Sequence, residues 1–244
     1  MRREQIDSII AAFHGNPFEV TAAERRSAQA AIAEMDVGAT ISRLLRSEDN
    51  EQAKRLILAI GHAQACTEPD PSKVLGSKVL PPSVVRKLPR PRGQYLRICM
   101  AAGRCFRALS EIRGSSALIE KARRQTWAAC FGGSLREMLD LEQVIHDHDV
   151  LFLGETGTGK EHFARAMMAA APGDDSGNPA PHAAINAAAI PEALSRASSS
   201  ATSRVRSLAR PKLARVGSAA PTAAPSSSTK SAICPRRSRS SCCG

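Results

Sequence analysis

The chain has 244 residues, of which 43% are hydrophobic and only 3% aromatic, enough for one large or two small domains. No stretch approaches the about 18 consecutive apolar residues of a membrane helix, and the polar start MRREQIDSII is unlike a signal peptide, so a cytoplasmic protein without membrane contact is expected. The net charge of +11 sits in one place: residues 195–244 hold ten of the 34 Lys and Arg and no acid, leaving 24 basic against 23 acidic residues in 1–194, a balance that gives no reason to expect nucleic acid, DNA included, or a membrane surface as partner of that part.

Residues 1–66 read as helices. Thr21-Ala22-Ala23-Glu24 has the form of a capping box, in which the Thr hydroxyl and the Glu carboxylate satisfy backbone donors at a helix start. Ala28, Ile32 and Met35 then space an apolar face, which Ile41, Leu44 and Leu45 continue. A further helix is expected from about Glu48 to Ala65, with Leu56, Ile57 and Ile60 opposite Glu51, Lys54 and Arg55. His14 and His62 are isolated and read as surface or packing residues.

Residues 67–93 hold six of the fifteen prolines. Each removes a donor and biases the preceding residue away from helix, so a linker or extended arm is expected, with Arg86, Lys87, Arg90 and Arg92 solvated. Helices follow from Tyr95 to about Ile112 and from about Ser116 to Gly132-Gly133, and Ser134-Leu135-Arg136-Glu137 forms a second capping box. The seven cysteines contain no CxxC pair, and Cys99, Cys105 and Cys130 fall in helical segments where a reduced, buried thiol is expected. His146-Asp147-His148-Asp149 reads as a polar turn, and no metal site is expected.

The most informative stretch is VLFLGETGTGKEHFAR, Val150 to Arg165. Four apolar residues, a glycine-rich loop and a helix-forming segment follow in the order of a P-loop, with Gly154, Glu155, Thr156, Gly157, Thr158, Gly159, Lys160 and Glu161 as candidate phosphate-binding residues. Glycines let successive N–H groups turn towards a phosphate, the following helix adds the partial positive charge of its N-terminus, and Lys160 supplies a mobile cation. The helix, Glu161 to about Ala171, is expected to carry Phe163, Ala166 and Met167 against the sheet; after it, Pro172 to Gly177 forms a break, His182 to Asn186 reads as a second parallel strand, and Pro191 to Leu194 opens another helix.

GETGTGKE, followed by HFARAMM and by AINAAAIPEAL over Ala184 to Leu194, resembles the central AAA+ ATPase domain of the sigma-54-dependent transcriptional regulators, the bacterial enhancer-binding proteins. Glu161, where other P-loops carry Ser or Thr, is usual in that family. The resemblance covers about Asp149 to Leu194. It implies an α/β fold, with an N-terminal helical region followed by an incomplete parallel-sheet fragment. It also implies ATP as cofactor, with magnesium in intact members, sigma-54 RNA polymerase as partner and assembly into a homo-oligomeric ring. Asn186 matches the asparagine that holds the family's catalytic glutamate in an off position.

After Leu194 the family's sigma-54 contact loop, Asp-Glu motif, sensors and arginine finger do not follow, so no catalytic residue is assigned. Residues 195–244 instead carry fourteen serines and no acid, a composition that cannot offset chain entropy by burial and is expected to be disordered. With suitable codons, moving the frame back by one nucleotide recovers LASELFGHVKGSFTGA from Leu194 to Arg210 and DGGTLFLDEIGDLP from Thr222 to Pro235. These resemble the contact loop and the Asp-Glu motif, in family order and from one offset.

The expected layout is a helical region over 1–66, a linker over 67–93, a helical segment over 94–133, a partial P-loop domain over 134–194 and the tail over 195–244. The expected function is an ATP-binding fragment of a sigma-54-interacting regulator, truncated by loss of frame and unable to hydrolyse ATP. The alternatives are a helical protein-interaction module with a vestigial nucleotide site and, last, a basic tail that binds nucleic acid.

Overall fold

A computed structural model describes residues 3–145 and 150–182. The helices among them are α1 (Arg3–Phe13), α2 (Ala22–Glu34), α3 (Val37–Arg46), α4 (Asn50–Thr67), the short α5 (Pro82–Val85), α6 (Arg92–Glu111), α7 (Ala117–Phe131), α8 (Leu135–Ile145) and α9 (Lys160–Ala169).

Local chemistry sets most of the boundaries. The Thr21 box forms in full: Glu24 N donates to Thr21 Oγ1 at 3.2 Å and Thr21 N donates to Glu24 Oε2 at 2.8 Å. Asp36 and Asp49 cap α3 and α4 by accepting from Ala39 N and Gln52 N, and Ser116 does the same for α7 through Ile119 N. Gly132, at φ 65°, ends α7 in a conformation that a side chain would resist. At the second expected box, Ser134 Oγ lies 3.4 Å from Glu137 Oε1.

The core is built around α4 and α6. Leu56, Ile57, Leu58, Ala59 and Ile60 are all fully buried, so α4 has no solvent face over that stretch and runs through the middle of the bundle. It lies very close to α6. A Cβ on Gly61 would stand 2.5 Å from Cys99 Sγ, and one on Gly103 would stand 2.4 Å from the Ala65 carbonyl oxygen. Cys99, Cys105 and Cys130 are free and buried within this packing, and burial pushes the Cys99 and Cys105 thiols up.

His14 and His62 are packing residues. His62 stacks on Trp127 at 5.3 Å between ring centroids, with Phe13 and Phe106 edge-on to it. Its Nδ1 donates to the Phe13 carbonyl at 2.8 Å, which fixes the tautomer. Its Nε2 has no hydrogen-bond partner among the described residues, and neither has that of His14.

The proline-rich segment is part of the bundle. Val74, Leu75, Val79, Leu80 and Val84 are buried, Leu75 N donates to Gln64 Oε1, and Arg92 Nε donates to the Leu75 carbonyl. The prolines set its turns, and turns are compatible with burial when the apolar residues between them find a helix to cover. No helix among the described residues is long and apolar enough to cross a membrane.

The α/β expectation is corrected: the described residues contain helices and no strand, hence no parallel sheet. Val150 to Leu153, expected as the first strand, has no ladder partner there, and extended backbone becomes a sheet only when a neighbour takes up its N–H and C=O groups. The alternation of a strand remains, with Phe152 packed on the core while Leu151 and Leu153 are 56% and 78% exposed. Phe163, Ala166 and Met167, expected to face a sheet, turn towards the bundle instead, where α9 packs on α6 and α7. The second expected strand from Ala183 onward, Asn186, and the tail lie outside the described residues.

Candidate functional site

The loop from Gly154 to Gly159 is exposed up to Thr158 and closes on itself through its own polar groups. Thr158 Oγ1 donates to the Glu155 carbonyl at 2.7 Å, and the Thr158 amide points to the same oxygen at 3.4 Å. Gly157 and Gly159 have φ of 85° and 81°, in the left-handed region that glycine enters without strain. Gly159 is also the N-cap of α9, and no side chain caps the first turn of that helix.

Lys160 is the centre of this arrangement. Its ammonium donates to the Gly154 carbonyl at 2.8 Å and to the Glu155 carbonyl, and lies 3.5 Å from Thr158 Oγ1. Among the described residues, a cation is thus held at the mouth of an uncapped helix by neutral oxygens. An anionic ligand would offer it stronger acceptors, and the same helix end favours negative charge.

Glu161 stands apart from this cluster. Its carboxylate accepts from Arg165 Nη2 at 2.6 Å one turn along α9, with both side chains largely exposed. Glu155 and Thr156 lie on the exposed rim of the loop. The structure thus brings Gly154, Glu155, Thr158 and Lys160 together through hydrogen bonds and turns Glu161 away. His146 to Asp149 lies outside the described residues.

Arg104, in the middle of α6, was not marked by any sequence motif. Its guanidinium donates to the carbonyls of Ala169, Ala171 and Gly177, at 3.1, 3.1 and 3.0 Å. It therefore satisfies the C-terminal end of α9 and holds the loop that follows. Burial, with the repulsion of Arg107, lowers its pKa to about 10, which leaves it charged at neutral pH. That loop is organised by Asp174, which accepts from the Ser176 and Asn178 amides and from Asn178 Nδ2. These bonds, led by those from Asn178, hold its carboxyl below the usual range. Arg97 of α6 pairs with the neighbouring Asp175. The signal in the sequence was faint: Arg97, Arg104 and Arg107 share a face of α6, a pattern that reads as an ordinary solvated stripe.

Comparison with known families matches residues 134–199 to the sigma-54 interaction domain. The match starts with Ser134 at the head of α8, takes in the 154–159 loop and α9, and continues into residues outside the described ones. No curated protein and no solved structure matches the chain. Over residues 134–199, about a quarter of its length, the chain is similar to the sigma-54 interaction domain, which supports a sigma-54-related regulator of the AAA+ family.

Proposed function

We propose that residues 154–160 form a nucleotide-binding loop, with Lys160 binding the β and γ phosphates of ATP. The chain is then an ATP-binding fragment of a sigma-54-interacting transcription regulator. The observation that carries this reading is the ammonium of Lys160 held at the uncapped start of α9 by the carbonyls of Gly154 and Glu155. A triphosphate approaching this point exchanges neutral oxygens for charged ones at the cation and gains the helix end as well. The glycines at 157 and 159 leave room for a close approach of phosphate to backbone.

Hydrolysis is a separate matter. It needs carboxylates that hold magnesium and orient water, and in this family an arginine supplied by a neighbouring subunit, worth on the order of 10³ in rate or more. Glu155 and Glu161 are the acids beside the loop; one lies on its rim and the other is engaged with Arg165. Residues 195–244 contain no acid at all. Their content is accounted for by a change of reading frame near Leu194, since one offset yields both the contact loop and the Asp-Glu motif of the family. The product therefore binds ATP, turns it over no faster than its Lys160→Ala form, and does not activate sigma-54 polymerase.

Titrating ATP into the purified chain and into Lys160→Ala tests the binding claim, and equal affinity for both removes it. Sequencing the gene across the codons for Leu194 to Arg196, and restoring one nucleotide there, tests the frame. The restored chain is expected to acquire ATPase activity above the Lys160→Ala background, and failure to do so defeats the frame account.

A further inference from the structure

Away from the loop, a half-open groove of about 210 Å³ lies between α2, the ends of α1 and α4, and α6. Ala22, Arg25, Arg26 and Gln29 line one wall, a spacing that puts all four on one face of α2. The opposite walls include Phe13, which is buried, and Phe106, which is partly exposed. No carboxylate is among the lining residues. Glu24, the acid in the first turn of α2, is turned back on Thr21, whose amide and hydroxyl donate to its Oε2.

The two arginines are placed differently. Arg25 is fixed: Nη1 donates to the Pro17 carbonyl at 2.6 Å, and its guanidinium carbon stands 5.4 Å from the centroid of Phe106. Arg26, next to it, has no hydrogen bond or ion pair among the described residues. Cys66, also in the lining, is no source of negative charge, because burial pushes its thiol up to about 12.

We infer that this groove binds a small organic anion with a flat apolar body, whose carboxylate is taken by Arg26 and Arg25 while its body lies against the exposed part of Phe106. The volume is below the about 300–1,000 Å³ of sites for drug-sized ligands, which limits the occupant to a compact molecule. A positively charged rim over an aromatic floor selects for both parts at once: a neutral ring leaves the guanidinium groups without a counter-charge, and a bare anion leaves the floor wet. The site is independent of the nucleotide loop, and its failure or success leaves the reading of Lys160 untouched.

The test is calorimetric titration of the full chain with benzoate, benzamide and acetate, supported by thermal unfolding. Benzoate is expected to bind saturably and to raise the unfolding temperature, with benzamide and acetate each at least about tenfold weaker. Arg26→Gln, which breaks no contact seen in the fold, is expected to unfold as the parent does in the absence of benzoate and to bind it about tenfold more weakly. Arg165→Gln, on the distant surface of α9, controls for the loss of one positive charge and is expected to bind benzoate as the parent does. No saturable binding, equal affinity for benzamide, or equal effects of the two substitutions would each overturn the proposal.

Discussion

The α4–α6 packing and the 154–160 loop are opposites in how they use glycine and charge. Where α4 meets α6, Gly61 and Gly103 bring two backbones together, and the charged group there, Arg107, is tied to the Ala65 carbonyl. In the loop, Gly157 and Gly159 bend the backbone outward from the bundle, and a lysine is held by exposed carbonyls. The first region contributes stability and no chemistry; the second carries the candidate chemistry and buries little. A change in one should therefore leave the other nearly untouched, and that independence can be attacked directly.

The largest effect expected comes from pH. His14 and His62 are buried, and desolvation, the largest cause in both, lowers each from 6.5 to about 4. Arg55, Arg136 and His62 add repulsion at His14, and Arg25 adds it at His62, whose bond to Phe13 opposes the shift. The folded pKa of a base lies below its unfolded value, so the unfolded chain takes up protons first as pH falls. Stability is constant above about 6.5, declines between 6.5 and 4, and gains no further loss from these groups below 4. About 3 kcal/mol per histidine is at stake. Glu51 titrates elsewhere: its hydrogen bonds with Arg136 and Lys54 hold it at about 2, so its contribution is lost only as pH falls below the usual 4.5. Urea unfolding at pH 7 and pH 5 isolates the histidines, and a midpoint that does not move would mean that they are not buried as described.

Next comes Gly103→Ala. Helix propensity alone would make the alanine more stable by about 1 kcal/mol. The new Cβ meets the Ala65 backbone at 2.4 Å, though, and backbone cannot turn aside as a flexible side chain does. Overpacking costs about 1–3 kcal/mol, and a clash with backbone lies at the upper end of that range, so after the propensity gain a net loss of about 2 kcal/mol is expected in chemical denaturation. A stabilised variant would show that α4 and α6 do not lie this close.

Arg104→Ala probes the border between the two regions. Removing the guanidinium leaves the carbonyls of Ala169, Ala171 and Gly177 to water, at a cost of about 2 kcal/mol. Limited proteolysis should then cut at residues 171–178 sooner than in the parent, while α1 to α4 keep their resistance. Early cutting across the whole chain would instead make Arg104 part of the central core.

Much of this was legible in the sequence because its signals are local. Thr21 and Ser116 start helices, Gly132 ends one, and the apolar spacing of α4 and α6 places them within two or three residues of where they stand. The candidate loop was readable because glycine and lysine spacing is itself the message. What was not legible depends on partners distant in sequence. The buried role of Val74 to Val84 needs α4 and α6 to exist first, and its prolines pointed to a linker. The clamp of Arg104 spans 65 to 73 residues. Val150 to Leu153 carries a strand's alternation and yet makes no ladder among the described residues, because alternation records which face is covered and not whether a neighbour is paired.

The smallest effect on stability is expected from the residue with the largest expected effect on binding. Lys160 is partly exposed, and its hydrogen-bond partners among the described residues are carbonyls and a hydroxyl of an exposed loop. Surface substitutions of that kind fall within about 0.5 kcal/mol of the parent. Lys160→Ala should therefore unfold at the parental urea midpoint while losing ATP affinity. If the variant is destabilised by as much as Gly103→Ala, the lysine is a structural brace for the loop, and weaker ATP binding would then reflect a collapsed loop. If stability is unchanged and affinity falls, the two regions are separable, and the loop's chemistry rests on a side chain that the fold does not need.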